Sequence, residues 1–375
     1  MAILVLADDI TGAAEMAGLA HTMGCRVHFT TSVEGLASSS EADVVVLATD
    51  TRSMGRKEAV QVTRKVVAHL PKEQAFTLFK KCDSALRGHL VAETEVLMEA
   101  GYDRVLILAA NPSKGRCVEE GVYRIDGIPI AETLFRIDPE FPATTSEVTA
   151  LLGGAVHYRK ADATPLPKGI FIGESRTVEE VAQHVAAHHQ QALLVGAADA
   201  FRALLRERGF ADPRPSLFEG LGTRQTLIVL GSTVRHDVQS EPFFQRNRVA
   251  QSPMPDAVFA GAGPEAWIEQ SLAVLHAGES LLLRIPQQVE VDGAKALHLR
   301  RSMAATVSEV VCVMRPEEVV IEGGATAYAL LEELGWVDFE VLCETAPGVV
   351  RLQHMPSGTV LTLKPGSYPW GPLFQ

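Results

Sequence analysis

Through the first half of the chain, short β-branched and aliphatic runs alternate with segments whose apolar positions recur at three-and-four spacing. Strands are expected at Ile3–Leu6, Arg26–Thr30, Val44–Leu47, Gln74–Phe79 and Arg104–Leu108, and helices at Thr11–Thr22, Arg56–Leu70 and Leu86–Ala100. Such alternation predicts βαβ units around a mostly parallel sheet, because parallel strands need a crossover between them. Beyond Asn111 the chain is loop-rich, with Pro112, Pro129, Pro139 and Pro142, and helix and strand return from Val178 to Val195. Val148–Arg208 is read as completing a first domain. The two prolines of Ala211-Asp212-Pro213-Arg214-Pro215 suit a linker, dividing the chain into domains 1–212 and 213–375. A second series follows, with strands at Thr226–Leu230, Ser280–Arg284 and Val319–Ile321 and helices near Ala294–Val311 and Ala325–Leu334. Val349–Leu352 and Val360–Leu363 read as a hairpin around Pro356-Ser357-Gly358. The expected fold class is α/β: two α/β domains with mostly parallel sheets and an interdomain cleft.

Composition narrows this little further. With 375 residues, 47% hydrophobic and 21% charged, the chain is a globular protein long enough for two cores, and disordered or coiled-coil readings fail. Apolar runs such as Val105–Ala110 are far short of a membrane span, and the amino terminus enters a strand at once without a signal-like flank. A net charge of −12 argues against nucleic acid as a partner, so an anionic ligand needs a local basic pocket. Cys25, Cys82, Cys117, Cys312 and Cys343 form no C-x-x-C pair, which argues against a disulfide framework or zinc knuckle and makes a reducing cytoplasm the expected setting. A homodimer is the base-rate expectation.

The common phosphate, dinucleotide, zinc and serine-hydrolase signatures are absent. What remains is a set of polar clusters at the carboxyl ends of predicted strands, the edge where α/β sheets bind ligands. Asp8-Asp9-Ile10-Thr11-Gly12-Ala13 follows the first strand, where one carboxylate suffices to cap the next helix and the second invites a cation, a substrate hydroxyl or a role as base. Arg52 follows the third strand. Lys80-Lys81-Cys82-Asp83-Ser84-Ala85-Leu86-Arg87-Gly88-His89 reads as a positive site around a helix start, with an Asp83–Arg87 ion pair as its bland alternative. Asn111-Pro112-Ser113-Lys114-Gly115-Arg116 adds charge and a tight turn exposing backbone N–H groups. These clusters together suit a small polyhydroxy acid. In the second domain Ser232, the Gly323-Gly324-Ala325-Thr326 turn and Lys364-Pro365-Gly366 suit a nucleotide's phosphates. His184, His188 and His189 are read as solvated positions of a surface helix.

Ala7-Asp8-Asp9-Ile10-Thr11-Gly12-Ala13, Asp50-Thr51-Arg52, Lys80 to Gly88, Gly115-Arg116, Glu132-Thr133 and Asp138-Pro139, in this order and spacing, resemble the four-carbon acid sugar kinases. Gly231-Ser232, Gly323 to Ala327, Pro347-Gly348-Val349 and Lys364-Pro365-Gly366 are similar to that family's nucleotide-binding turns, although many members carry an acidic residue where Ala325 stands. The resemblance implies an ATP- and Mg²⁺-dependent kinase that phosphorylates the terminal hydroxyl of threonate, erythronate or 3-oxo-tetronate. It places the acid in the first domain and ATP in the second. On this reading Arg52, Lys81, Arg87 and Arg116 complement the substrate's charge, with Asp83, Ser84, Asn111, Lys114 and Gly115 around them. Asp8 or Asp9 orients or deprotonates the hydroxyl, and Ser232, Gly323, Gly324, Ala325, Thr326, Gly348, Lys364 and Gly366 hold the nucleotide. The alternatives are a non-catalytic sugar-acid binder whose nucleotide site has diverged and, with less support, a nicotinamide-dependent dehydrogenase. Which acid, and its stereochemistry, stays open.

Overall fold

The computed structural model describes residues 2–38, 41–70, 76–138, 140–153, 155–160, 165–210, 218–232, 238, 240–276, 278–286, 293–366 and 368–375. The chain divides into two compact units, Met1–Arg214 and Pro215–Gln375. The expected linker, Ala211–Pro215, lies outside the described residues.

In the first unit β1 (Ile3–Ala7), α1 (Ile10–Thr22), β2 (Val27–Thr30), β3 (Val44–Ala48), α2 (Arg56–His69), β4 (Thr77–Lys81), α3 (Leu90–Glu99) and β5 (Arg104–Leu108) follow the expected alternation. They are followed by β6 (Arg116–Glu119), β7 (Val122–Ile125), β8 (Ile128–Pro129), α4 (Val148–Leu152), β9 (Val156–Arg159), β10 (Gly169–Gly173), α5 (Val178–His188), β11 (Leu193–Gly196) and α6 (Ala198–Glu207). Parallel pairing gives the order β2-β3-β1-β4-β11-β5-β10-β9. Both β1 and β3 are buried along their whole length, which is why they read as continuous apolar runs without alternation. The chain enters this sheet at β1, adds β2 and β3 on one side, then crosses to β4 on the other. Strand order reverses at β1, so its carboxyl end opens onto the crevice where such sheets bind ligands.

Three local expectations are corrected. Of the strand expected at Gln74–Phe79, Gln74 and Ala75 lie outside the described residues, and β4 continues to Lys81. Both lysines are buried. Lys80 Nζ lies 2.8 Å from a Glu93 oxygen of α3, and a buried cation is tolerated when a carboxylate meets it. The following helix starts at Leu90 instead of Leu86, because Leu86 and Gly88 adopt φ values of 63° and 94° that no helix accepts. Finally, the region beyond Asn111 holds a small antiparallel sheet, β6-β7-β8. Its strands turn at Glu120-Gly121 and Asp126-Gly127, all four residues at positive φ as a type I′ hairpin turn requires.

The histidine reading is also overturned. His184 and His188 are buried on one face of α5, and the His184 Nε2 lies 3.0 Å from the Glu174 carbonyl oxygen just beyond β10. Burial pushes the His184 pKa down to about 4, with its carbonyl contact opposing the shift. An imidazole kept neutral in the fold but free to protonate when unfolded contributes stability above its ordinary pKa near 6.5 and loses it as pH falls toward 4. We expect unfolding free energy to drop by on the order of 2 kcal/mol between pH 7 and pH 5 through this group. Urea melts of the wild type and His184→Gln at the two pH values check this: the variant should lose less on acidification, and equal losses would remove His184 as the cause.

In the second unit the elements are β12 (Thr226–Leu230), α7 (Pro242–Arg246), β13 (Val249–Pro253), α8 (Asp256–Ala260), α9 (Glu265–Ala273), β14 (Ser280–Arg284), α10 (Gly293–Met314) and β15 (Glu318–Glu322). The series closes with α11 (Gly324–Leu334), β16 (Asp338–Ala346), β17 (Val349–His354) and β18 (Val360–Lys364). The order is β13-β14-β12-β15-β18-β17-β16, parallel as far as β18 and antiparallel beyond it. The expected hairpin is β17–β18. The sequence pattern misses β13 and β16, since β13 (VAQSP) carries no apolar run and joins the sheet through its backbone. Among the described residues no helix is long and apolar enough to cross a membrane.

Candidate active site

Asp8 and Asp9 leave the carboxyl end of β1, and Arg52 reaches them from the turn after β3. The Arg52 Nε and Nη2 donate to the two Asp8 oxygens at 2.9 and 2.8 Å, and Nη2 also donates to Asp9 at 2.7 Å. Its Nη1 lies 3.6 Å from Asp83. The cation that adjacent carboxylates require is therefore supplied by the protein. Asp9 also caps α1, accepting from Thr11 Oγ1 and from the Gly12 N–H, so the capping role and a place in the charged cluster coincide in one residue. Burial raises the Asp9 pKa, but Arg52, Lys81 and the Thr11 hydrogen bond together bring it below the usual carboxylate range. Asp9 stays ionised and accepts hydrogen bonds.

The turn after β4 brings Asp83 and Arg87 together without a helix. Arg87 Nε and Nη2 donate to the two Asp83 oxygens at 2.9 and 3.0 Å, and Nη1 reaches Asp138 at 3.4 Å. Burial raises the Asp83 pKa, while Arg52, Arg87 and Lys81 outweigh it and hold the group ionised. Lys81 donates to the Cys82 carbonyl at 2.7 Å and lies 4.0 Å from Glu15, whose other oxygen takes Lys114 at 2.6 Å. The Arg116 Nη1 contacts Ser84 Oγ, and the Arg87 and Arg116 guanidiniums lie 5.4 and 5.7 Å from the centre of the Phe135 ring.

The structure thus gathers Asp8, Asp9, Arg52, Lys81, Asp83, Ser84, Arg87, Lys114 and Arg116 through a connected set of contacts. Lys80 is not part of it, since successive side chains of a strand face opposite sides and its side chain pairs with Glu93. Asn111 is buried and accepts the Asp199 N–H at 3.1 Å, and Asp199 in turn takes the Ser113 N–H and hydroxyl. The N–H groups of Lys114, Gly115 and Arg116 all donate within the turn, to Asn111 and Pro112, so this turn does not present them to a ligand as expected. Sequence reasoning missed Glu15, Phe135 and Tyr123, whose hydroxyl contacts the Ser84 carbonyl. Glu15 had a signal: it is the lone carboxylate of α1, among buried isoleucine, alanine, glycine, methionine and leucine. Among the described residues, Arg116 alone of the site's cations has no carboxylate partner.

In the second unit, β12, β14, β15 and β18 end around a pocket of about 300 Å³ lined by Gly231, Ser232, Gly323, Gly324, Ala325, Thr326 and Gly366, with Ile285 and one face of α10 opposite. Gly323 precedes α11 with φ 104° and has no side chain of its own to cap the helix, whose first residues line the pocket. A Cβ on Gly231 would fall 2.3 Å from Thr326 Oγ1, so only glycine lets these turns approach. Two expected nucleotide residues are not part of this lining. Gly348 sits in the β16–β17 turn, donating to Glu344 at 2.8 Å. Lys364 is fully buried, 2.7 Å from Glu322 and donating to the Pro365 and Gly366 carbonyls. The described lining offers hydroxyls and no carboxylate, and no cluster of metal-ligating side chains occurs among the described residues.

The family described as the sugar-binding N-terminal domain matches residues 3–202. The chain is 26% identical to a D-threonate kinase of Salmonella typhimurium, the match covering 92% of this chain and 90% of the relative. It is also 26% identical to a 3-oxo-tetronate kinase of Methylobacterium radiotolerans, over 98% and 96% of the two chains. A solved structure of a Haemophilus influenzae protein shares the fold, with TM-score 0.72 and 17% identity across 99% of this chain and 98% of that one.

Proposed function

The chain belongs to the four-carbon acid sugar kinase family, whose sugar-binding N-terminal domain it carries over residues 3–202, and from that premise we propose that it transfers phosphate from ATP to the terminal hydroxyl of a four-carbon sugar acid. The observation that carries the reading is the charged cluster at the strand-order reversal of the first unit, built from the residues that the family resemblance names. Phosphoryl transfer requires an oriented hydroxyl and positive charge on the moving oxygens, with little demand for a strong base. Ionised Asp9 and its neighbour Asp8 accept the hydroxyl's hydrogen bond, held in place by Arg52. Arg116, with Ser84, takes the acid's carboxylate, since its guanidinium is the one in the cluster not already opposed by a carboxylate. The glycine turns of the second unit hold the nucleotide. Mg²⁺ bound with the triphosphate would neutralise phosphate charge, and the hydroxyls of Ser232 and Thr326 are the groups of the described lining that would meet it, since such an ion takes most of its ligands from phosphate and water.

The purified protein, given Mg-ATP and a panel of D-threonate, D-erythronate and 3-oxo-tetronate, is expected to release ADP only when a substrate acid is present. Phosphorus NMR should show a phosphomonoester product. No acid-dependent release with any of the three would sink the proposal, and acid binding without release is what a non-catalytic binder would give. Asp8→Asn and Asp9→Asn assign the pair's role: at least one should lower turnover tenfold or more, about 1.4 kcal/mol of barrier.

A further inference from the structure

The nucleotide pocket of the second unit has one wall that no motif identified. Helix α10 presents Ala296, Leu299, Arg300 and Met303 to it, positions spaced by three, one and three residues and hence on a single helical face. Ala296, Leu299 and Met303, with Ile285 opposite, make an apolar surface. Arg300 is the only charged residue of the described lining. It is half-buried, and among the described residues it makes no ion pair or hydrogen bond. An arginine set beside an apolar wall, in a pocket also lined by the first residues of α11, is placed for an anion attached to an apolar body.

Lys364, the cation that the sequence pattern puts at this site, does not fill that role. Its ammonium lies beneath the turns, fully buried and closed by Glu322 and two backbone carbonyls. Among the described residues, the pocket therefore draws its side-chain positive charge from α10, outside every glycine turn.

We infer that Arg300 is the side-chain cation that holds the nucleotide's phosphates, with Ala296, Leu299 and Met303 facing the nucleoside. The inference rests on the proposed kinase reading and adds the residue and its division of labour with Lys364. A planar guanidinium binds phosphate through two parallel N–H donors, so lysine is a poor replacement.

Calorimetric titration with ADP and with adenosine, on the wild type, Arg300→Gln and Arg300→Lys, tests it, with circular dichroism melts confirming that each variant is folded. Arg300→Gln should weaken ADP binding at least tenfold while adenosine affinity stays within about twofold, and Arg300→Lys should recover only part of the loss. Wild-type affinity for ADP should also fall more steeply with added salt than that of Arg300→Gln. ADP binding to Arg300→Gln at wild-type strength overturns the role of Arg300 and leaves the kinase reading standing. Equal losses of ADP and adenosine overturn it too, since they mark a wall residue and not a phosphate ligand. A wild type that binds neither ligand removes the nucleotide site itself.

Discussion

Arg52→Ala is expected to lower kcat/KM by about a thousandfold or more, the largest single effect of any substitution in the first unit. Loss of the guanidinium leaves Asp8, Asp9 and Asp83 together in a buried site without the cation that now touches all three. Removing one partner of a buried, hydrogen-bonded charge network costs about 3–5 kcal/mol, and a loss of about 4 kcal/mol in transition-state stabilisation corresponds to three decades of rate. Arg52→Lys keeps the charge but not the fork that meets both Asp8 oxygens, so it should restore only part of the activity. A pH series separates positioning from general destabilisation. Burial depresses the Arg52 pKa, but Asp8, Asp9 and Asp83 raise it well above its ordinary value, so the cation is present throughout the working range. Without it, the crowded carboxylates gain protons more readily in the fold than when unfolded, and a carboxyl whose folded pKa is raised loses stability as pH rises. The stability deficit of Arg52→Ala relative to the wild type should therefore be largest at neutral pH and shrink as pH falls through the carboxylate range. Activity of Arg52→Ala within tenfold of the wild type would show that Arg52 does not organise the site.

The second large effect belongs to the pair beneath the glycine turns of the second unit. Glu322 and Lys364 are both fully buried, 2.7 Å apart, and their backbones are adjacent in the parallel β15–β18 register. Lys364→Met removes the ammonium that meets Glu322 in the core and should destabilise the second unit by about 3–5 kcal/mol. The double variant Glu322→Leu/Lys364→Met replaces both charges by apolar groups and should regain most of the loss, because a buried pair contributes little beyond its apolar equivalent once desolvation is counted. The readout is selective: Trp267, Trp336 and Trp370 are the chain's three tryptophans and all lie in the second unit. Lys364 Nζ sits 4.5 Å from the centre of the Trp370 ring. Urea melts followed by tryptophan fluorescence should show the single variant's midpoint lowered by roughly 1–3 M. A midpoint within about 0.3 M of the wild type would mean that Glu322 finds another way to be satisfied.

Much of the site is legible because strand ends and glycine turns are local events. Asp8-Asp9 after ILVLA, Asp50-Thr51-Arg52 after VVVLA and the Gly323-Gly324 turn before a helical run each announce the carboxyl edge of a parallel sheet within a few residues. The same locality explains the misses. Nothing near Lys80 distinguishes it from Lys81; the difference is Glu93, on the next helix. His184 looks like any polar position of an amphipathic helix until the end of β10 lies against it. Arg300 belongs to no turn, and its importance comes from the four strands that end opposite it.

By itself the sequence determined the α/β class, the two series of strands and helices, and the strand ends at which charge and glycine collect, because each depends on periodicity and turn chemistry over a short stretch of chain. Only the tertiary structure decided which charges are free to meet a ligand. Lys114 is held by Glu15 across 99 residues, Arg87 by Asp138 across 51, and Lys364 by Glu322 across 42. Arg300 lines its pocket and Arg116 meets Ser84 and the Phe135 ring, both without a carboxylate partner among the described residues. An ion pair forms or fails according to distance and desolvation in the folded chain, and neither is encoded in the neighbouring residues.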